Sequence, residues 1–492
     1  MKRLKIMVLC TLTVTLSSCL DMLNKTPISQ LSVDKLFETV DGAEAAVAGC
    51  YSFLYGTGYY SQDRWCFAFE GTDISGSAGG SANYQWTSGE NRWSDWWLTT
   101  YQAIGACNTA ISRIKESTFD ENKRILLLSE ARCLRAFYYY HALTYWGGVP
   151  LLQDEITSLD QVKNVKRATK DELAKFIIDE LEEVSPLLEK NPAVVARISK
   201  GASYTLLAKM YLLQKQWEKA AGACEEVMGL NKYKLFDNYS DIFSQAFENE
   251  QEHIFSIQFN ADYTDFSARM LWYLGPSKEE WDKFNGLGGS SAPTSFYNKY
   301  DEWDLRLEHN LAKTWRGQPF KDSRIAVIKY WDRTGKQMLD HDGLNFPVFR
   351  YADVLLMYAE VLNENGKPGL ALPYLNDVRE RARKTNPIDP RRDQQAYIPA
   401  TTTNTLPDIT ETDQKRLKEI IWKERRCELA MEGWRRDDLM RQKRFGTVMR
   451  AYATKYNTSK GANFRDDRDY LFPIPQGERD KSNNILSQNP GF

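Results

Sequence analysis

Hydrophobic positions recur every three or four residues over much of this chain, the period of amphipathic helices. Trp97, Tyr101, Ile104, Asn108, Ile111 and Ile114 make one such stripe. Residues 43–54 are alanine-rich, residues 126–145 repeat the helical spacing, and residues 171–188 are amphipathic. Trp146-Gly147-Gly148-Val149-Pro150 ends the second long helix, because glycine followed by proline is a stop signal. Trp97 lies on its stripe and is expected in the core, while its neighbour Trp96 can face either way.

Two later segments predict helix hairpins. Residues 207–213 and 217–228 flank a short Gln-rich turn, and residues 355–362 and 370–383 flank Asn363-Glu364-Asn365-Gly366-Lys367-Pro368-Gly369. Met210-Tyr211 and Met357-Tyr358 hold matching places, and Ala220-Ala221 corresponds loosely to Leu370-Ala371. Small residues where two helices cross, with an aromatic one turn back, suit tetratricopeptide-like hairpins. Elsewhere the period breaks. Residues 71–93 are rich in Gly and Ser, and residues 253–347 set a strand-like run (254–259) among Gly-Pro, Gly-Gly and Ala-Pro breaks. Residues 385–411, with several prolines and a threonine run, read as a surface excursion. The expected fold is mainly α: helix pairs form a scaffold, roughly 96–230 and 348–445, that presents long loops, roughly 60–95 and 253–347, with minor β.

The amino terminus has its own pattern. Met1-Lys2-Arg3 and Lys5 precede an apolar stretch over residues 6–16 and then Leu16-Ser17-Ser18-Cys19. The stretch is far short of the ~20 apolar residues of a membrane-spanning helix and has secretory length. Small residues followed directly by cysteine are a lipoprotein signature, so residues 1–18 are expected to be removed and Cys19 to carry lipid. A multiply acylated cysteine anchors stably at a membrane. Residues 20–35 lack periodicity and read as a tether.

Composition narrows the function. The 64 basic and 66 acidic residues nearly cancel, so no overall field draws the chain to nucleic acid. Four histidines, with no H-E-x-x-H, argue against a zinc hydrolase. Cys50, Cys66, Cys107, Cys133, Cys224 and Cys427 are dispersed and read mostly as core thiols, with one disulfide left open. No cofactor is expected. A structural calcium ion is left open and not predicted, since the acids lack EF-hand spacing. The excess is aromatic: 14 Trp, 26 Tyr and 22 Phe supply planes for stacking on ring-shaped ligands.

Five blocks carry a resemblance. They are Glu130-Ala131-Arg132-Cys133-Leu134-Arg135-Ala136-Phe137-Tyr138-Tyr139 running to Trp146-Gly147-Gly148-Val149-Pro150-Leu151; Arg197-Ile198-Ser199-Lys200-Gly201-Ala202 running to Leu212; Phe349-Arg350-Tyr351-Ala352-Asp353 running to Glu360; Glu424-Arg425-Arg426-Cys427-Glu428 running to Gly433, with Asp438-Leu439 behind; and Tyr470-Leu471-Phe472-Pro473-Ile474-Pro475, with Gln488-Asn489-Pro490-Gly491-Phe492 closing the chain. Together they resemble the RagB/SusD family of Bacteroidetes nutrient-uptake lipoproteins, over essentially all of residues 19–492. The resemblance implies a SusD-like fold of tetratricopeptide-like helix pairs and a surface-facing outer-membrane location. It also implies capture of an oligosaccharide or polysaccharide for a SusC-like TonB-dependent transporter. A peptide or glycopeptide ligand, or a helical-repeat scaffold for protein interaction, are the alternatives.

The charges of these blocks suit a scaffold. Glu424, Arg425, Arg426, Glu428 and Glu432 fall at helical spacing and can pair across one turn. Arg350 with Asp353, and Asp304 with Arg306, can lock neighbouring helices. A sugar needs an aromatic plane beneath it and polar groups at its edge. The first loop offers Asp73, Tyr84, Trp86, Asn91 and Trp93, and the second offers Trp272, Tyr273, Trp281 and Trp315. A glycosidase would need two facing carboxylates, and no motif singles out a pair, so catalysis is not expected.

Overall fold

The computed structural model describes residues 33–492 apart from 77–79, 264–267, 276, 278–290, 302–303, 316–317, 331–341, 387–405 and 457. Cys19, most of the tether and most of the excursion at 385–411 therefore lie outside the described residues. Helices of seven residues or more are α1 (Val40–Tyr51), α2 (Asp63–Phe69), α3 (Asn91–Glu116), α4 (Glu121–Trp146), α5 (Lys170–Val184), α6 (Lys200–Leu213), α7 (Trp217–Gly229), α8 (Tyr351–Glu364), α9 (Pro368–Lys384), α10 (Gln414–Glu428), α11 (Arg435–Arg441) and α12 (Phe445–Tyr456).

Local chemistry sets the ends of these helices. Asp120 caps α4 by accepting from the Lys123 backbone N–H at 2.9 Å, and Thr169 with Glu172 forms a capping box at the start of α5. Gly147 ends α4 at φ +76°, a conformation that costs glycine little. A Cβ there would also meet the Lys170 side chain at 2.7 Å and Leu471 at 2.9 Å.

Successive helices pack as pairs, α3 on α4, α6 on α7 and α8 on α9, with α5 joining α4 to α6 and α7 bridging to α8. Both hairpins expected from the sequence are present. Arg132 and Arg135 of α4 clamp Glu180 of α5, each at 2.7 Å. The run at 254–259 becomes β1 (His253–Ile257), antiparallel to β2 (Phe346–Arg350), and β2 leads directly into α8. All six cysteines from Cys50 onward are buried free thiols. Trp96 and Trp97 are both core.

The charged motif residues other than Arg426 are buried too, but they pair across elements and not across one helical turn. Arg350 reaches Glu252 at 2.9 Å, Glu428 at 2.6 Å and Glu432 at 2.6 Å. Arg306 reaches Asp304 at 2.7 Å, Glu424 at 2.6 Å and Glu428 at 2.8 Å. Arg381 bridges Glu252 and Glu428, Arg379 holds Glu424, and Lys329 holds Glu432. Asp353 pairs with Lys209 and Arg425, not with Arg350. A buried charge must find a partner or shift its protonation, so charges on an inward helix face are met by other elements. Burial alone would raise the Glu428 carboxyl, but Arg381, Arg350 and Arg306 hold it far below the usual carboxylate range.

Candidate functional site

The first loop region is not a flexible platform. Because α3 begins at Asn91, Trp93 falls one turn before Trp97 on the same buried stripe. Trp93 packs on Phe472 at 4.4 Å and Phe67 at 4.3 Å between ring centroids. Trp86 lies edge-on to Phe472 at 4.7 Å, and its indole N–H donates to Asp469 at 3.0 Å. Tyr84 donates to the Gly71 carbonyl and packs on Phe464 at 4.8 Å. The expectation that Tyr84, Trp86 and Trp93 offer surfaces to a ligand is therefore corrected: all three rings are buried. Much of their cover, Phe464, Asp469 and Phe472, comes from the C-terminal segment, with Asp469 383 positions from Trp86. Asn91 is exposed at the first turn of α3.

In the second region, Trp272 and Tyr273 lie in the short helix Met270–Leu274, where Tyr273 is half-buried, and Trp315 lies in the strand Thr314–Trp315. Trp281 lies outside the described residues. The two loop regions do meet. The Gly76 backbone N–H donates to the Ser291 carbonyl at 2.5 Å, and a Cβ on Gly76 would stand 2.4 Å from the Ser291 hydroxyl. Only glycine permits that approach without displacing the second loop.

Beside this junction is a cavity of about 560 Å³ bounded by Asp73, the segment 295–301, α10 and α12. Helix α10 divides its side chains between two roles. Leu417, Ile421, Glu424, Arg425 and Glu428 face the core, while Glu419, Trp422, Lys423 and Arg426 line the cavity. Helix α12 contributes Tyr452, Lys455 and Tyr456, with the two tyrosine rings 5.1 Å apart. Trp422 donates its indole N–H to Glu360 at 2.9 Å, which fixes its plane, and the Arg444 guanidinium lies 4.8 Å from that ring. Phe296 and Tyr300, both buried, form part of the lining.

Asp73 stands at the wall of this cavity as an anchor. Arg435 donates to its two oxygens at 2.7 and 2.9 Å, and Arg426 lies 3.6 Å away. Burial would raise its carboxyl, but Arg435 and Arg426 bring it down to about 2. Lys460 is buried behind the same loop and donates to the Ser75 carbonyl. Burial pushes its ammonium down to about 7 against the opposing pull of Asp73 and Glu70. Among the described residues, no group of three or more His, Cys, Asp or Glu side chains is placed to hold a metal ion.

Sequence reasoning passed over Trp422, Tyr452 and Tyr456. Tyr452 and Tyr456 are four residues apart, a spacing that puts both on one helix face, which was the available signal. Nothing local shows that this face opens on a cavity.

Residues 214–492 match the family model described as the SusD family. The chain belongs to the SusD family. Residues 63–212 match a second SusD-like model, described as starch-binding associating with outer membrane. A SusD-like protein, P2, of Formosa agariphila is 26% identical over all of both chains. The crystal structure of a SusD homolog from Bacteroides thetaiotaomicron superposes with a TM-score of 0.81 at 21% identity, covering 95% of this chain and 99% of that one. Surface glycan-binding protein A from the same species gives 0.74 at 21% identity, over 92% and 99%. These structures share the fold with the SusD-like chain described here. Among its described residues, no helix is long and apolar enough to cross a membrane.

Proposed function

We propose that this chain captures an oligosaccharide or polysaccharide at the outer membrane, held there by lipid on Cys19, and delivers it to a SusC-like TonB-dependent transporter. The observation that carries the reading is the cavity beside the Gly76–Ser291 junction, where Trp422, Tyr452 and Tyr456 stand among charged and polar side chains. A pyranose ring has an apolar C–H face and a polar rim, and this combination of planes and edge groups is complementary to both. Family membership and the likeness to a surface glycan-binding protein point the same way.

The reading is capture without cleavage. A glycosidase needs one carboxyl kept protonated by an apolar setting and a second facing it across the substrate. The three acids that line the cavity are each held by a cation: Asp73 by Arg435, Asp301 by Lys423 and Glu419 by Arg444. The test is a glycan screen on the full chain purified in detergent, following intrinsic tryptophan fluorescence. Saturable binding to one polysaccharide class that is lost in Tyr456→Ala supports the reading. A response to peptides alone, with no glycan bound, overturns it.

A further inference from the structure

The cavity carries a local excess of positive charge beside aromatic planes. Six cationic side chains line it: Lys299, Lys423, Arg426, Arg435, Arg444 and Lys455. Only three acids do: Asp73, Asp301 and Glu419. Among the described lining residues this leaves an excess of three positive charges, in a chain whose overall charge is −2. All three acids are already engaged. Arg435 takes both oxygens of Asp73, Lys423 pairs with Asp301, and Arg444 lies 3.1 Å from Glu419.

The cations left over are informative. Lys299 and Lys455 are exposed and have no carboxylate partner among the described residues. Arg426 meets Asp73 only at 3.6 Å. The Lys455 ammonium lies 5.4 Å from the Tyr456 ring centroid, so a cation and an aromatic face sit side by side at the rim. A guanidinium that lines the cavity and meets its acid only loosely matches an anionic oxygen group, and lysines at a rim add a less directional attraction. The adjoining aromatic planes favour a ring-shaped carrier for that anion over an extended peptide.

We propose that this cavity is a subsite for a negatively charged sugar residue, a uronate or a sulfate ester, so that the captured glycan is acidic. Arg426 receives the anionic oxygens, Lys299 and Lys455 draw the polymer in, and Tyr452 and Tyr456 lie against the ring. The inference rests on the capture reading above and names its ligand class.

The test uses the full chain in detergent with four probes: polygalacturonate, dextran sulfate, neutral dextran and poly-glutamate. Polygalacturonate or dextran sulfate is expected to bind, and which of them binds tells uronate from sulfate. The double variant Lys299→Gln/Lys455→Gln is expected to weaken that binding about tenfold, as loss of two charge contacts implies. High salt weakens it in the same direction, and Lys299→Arg/Lys455→Arg restores it. Both lysines are exposed and lack a carboxylate partner among the described residues, so these variants keep the fold. Acidic glycan binding that ignores the double variant overturns the site. Binding of neutral dextran alone overturns the acidic assignment and leaves capture standing. No binding of any probe overturns the acidic assignment, and poly-glutamate alone overturns both.

Discussion

Two charged clusters meet on opposite faces of α10, and they are built to opposite rules. In the core, five cations (Arg306, Lys329, Arg350, Arg379, Arg381) face five acids (Glu252, Asp304, Glu424, Glu428, Glu432), and every one is buried. On the cavity side, six cations face three acids and part of the set is in water. A buried network has to be neutral, because an uncompensated charge away from water is expensive. A half-exposed cluster can carry an excess, since solvent and counter-ions screen it. Charge balance thus differs between the buried and the half-exposed face of one helix that supplies residues to both.

The sharpest way to break this comparison is to remove one core partner. Arg350→Met strips cations from Glu252, Glu428 and Glu432 together and should destabilise the fold by about 3–5 kcal/mol. Urea denaturation followed by circular dichroism measures it, and a loss as small as that of a surface change would show that the network is not a closed unit. Trp93→Ala should cost about 3–5 kcal/mol through the cavity it leaves between Phe67 and Phe472. Glycan affinity at temperatures where that variant remains folded should be unchanged, which separates a core ring from a binding ring.

Acid acts on the core through its depressed carboxyls. Glu428 and Asp438 are held far below the usual range and Asp73 at about 2. Their contribution is fully present above the unfolded values of about 4 and is lost as pH falls through the folded ones. Melting temperature should therefore drop progressively below about pH 4, and less steeply in Arg350→Met, where Glu428 has already lost a partner. An unchanged slope would detach Glu428 from the network.

On the other face of α10 the expected stability effects are small. Tyr456→Ala should leave the melting temperature nearly unchanged while abolishing the fluorescence response to glycan. Lys299→Gln should shift stability by no more than about 0.5 kcal/mol, as exposed substitutions do. A large loss in either would place these residues in the architecture and erase the distinction between the two clusters.

How much of this was legible beforehand depends on how far each feature reaches along the chain. Both helix hairpins, the strand-like run at 254–259 that becomes β1 and the glycine stop at Gly147 were readable from period and punctuation. Trp93 was readable in principle, since the stripe through Trp97 extends back by one turn. Trp86 was not: Phe472 and Asp469, which cover it, lie at the other end of the chain. Aromatic residues in a Gly/Ser-rich stretch resemble a platform until the segment that buries them is known.

The sequence by itself determined the helical scaffold, the family and the residue types at each place, because a hydrophobic repeat acts over a few residues and survives as a local pattern. The tertiary structure alone decided which tryptophans are core, which acid answers which arginine, and that the outer face of α10 opens on a cation-rich cavity. Burial and charge pairing depend on what arrives from elsewhere in the chain, and the cost of leaving a buried charge unpaired makes those distant partners decisive.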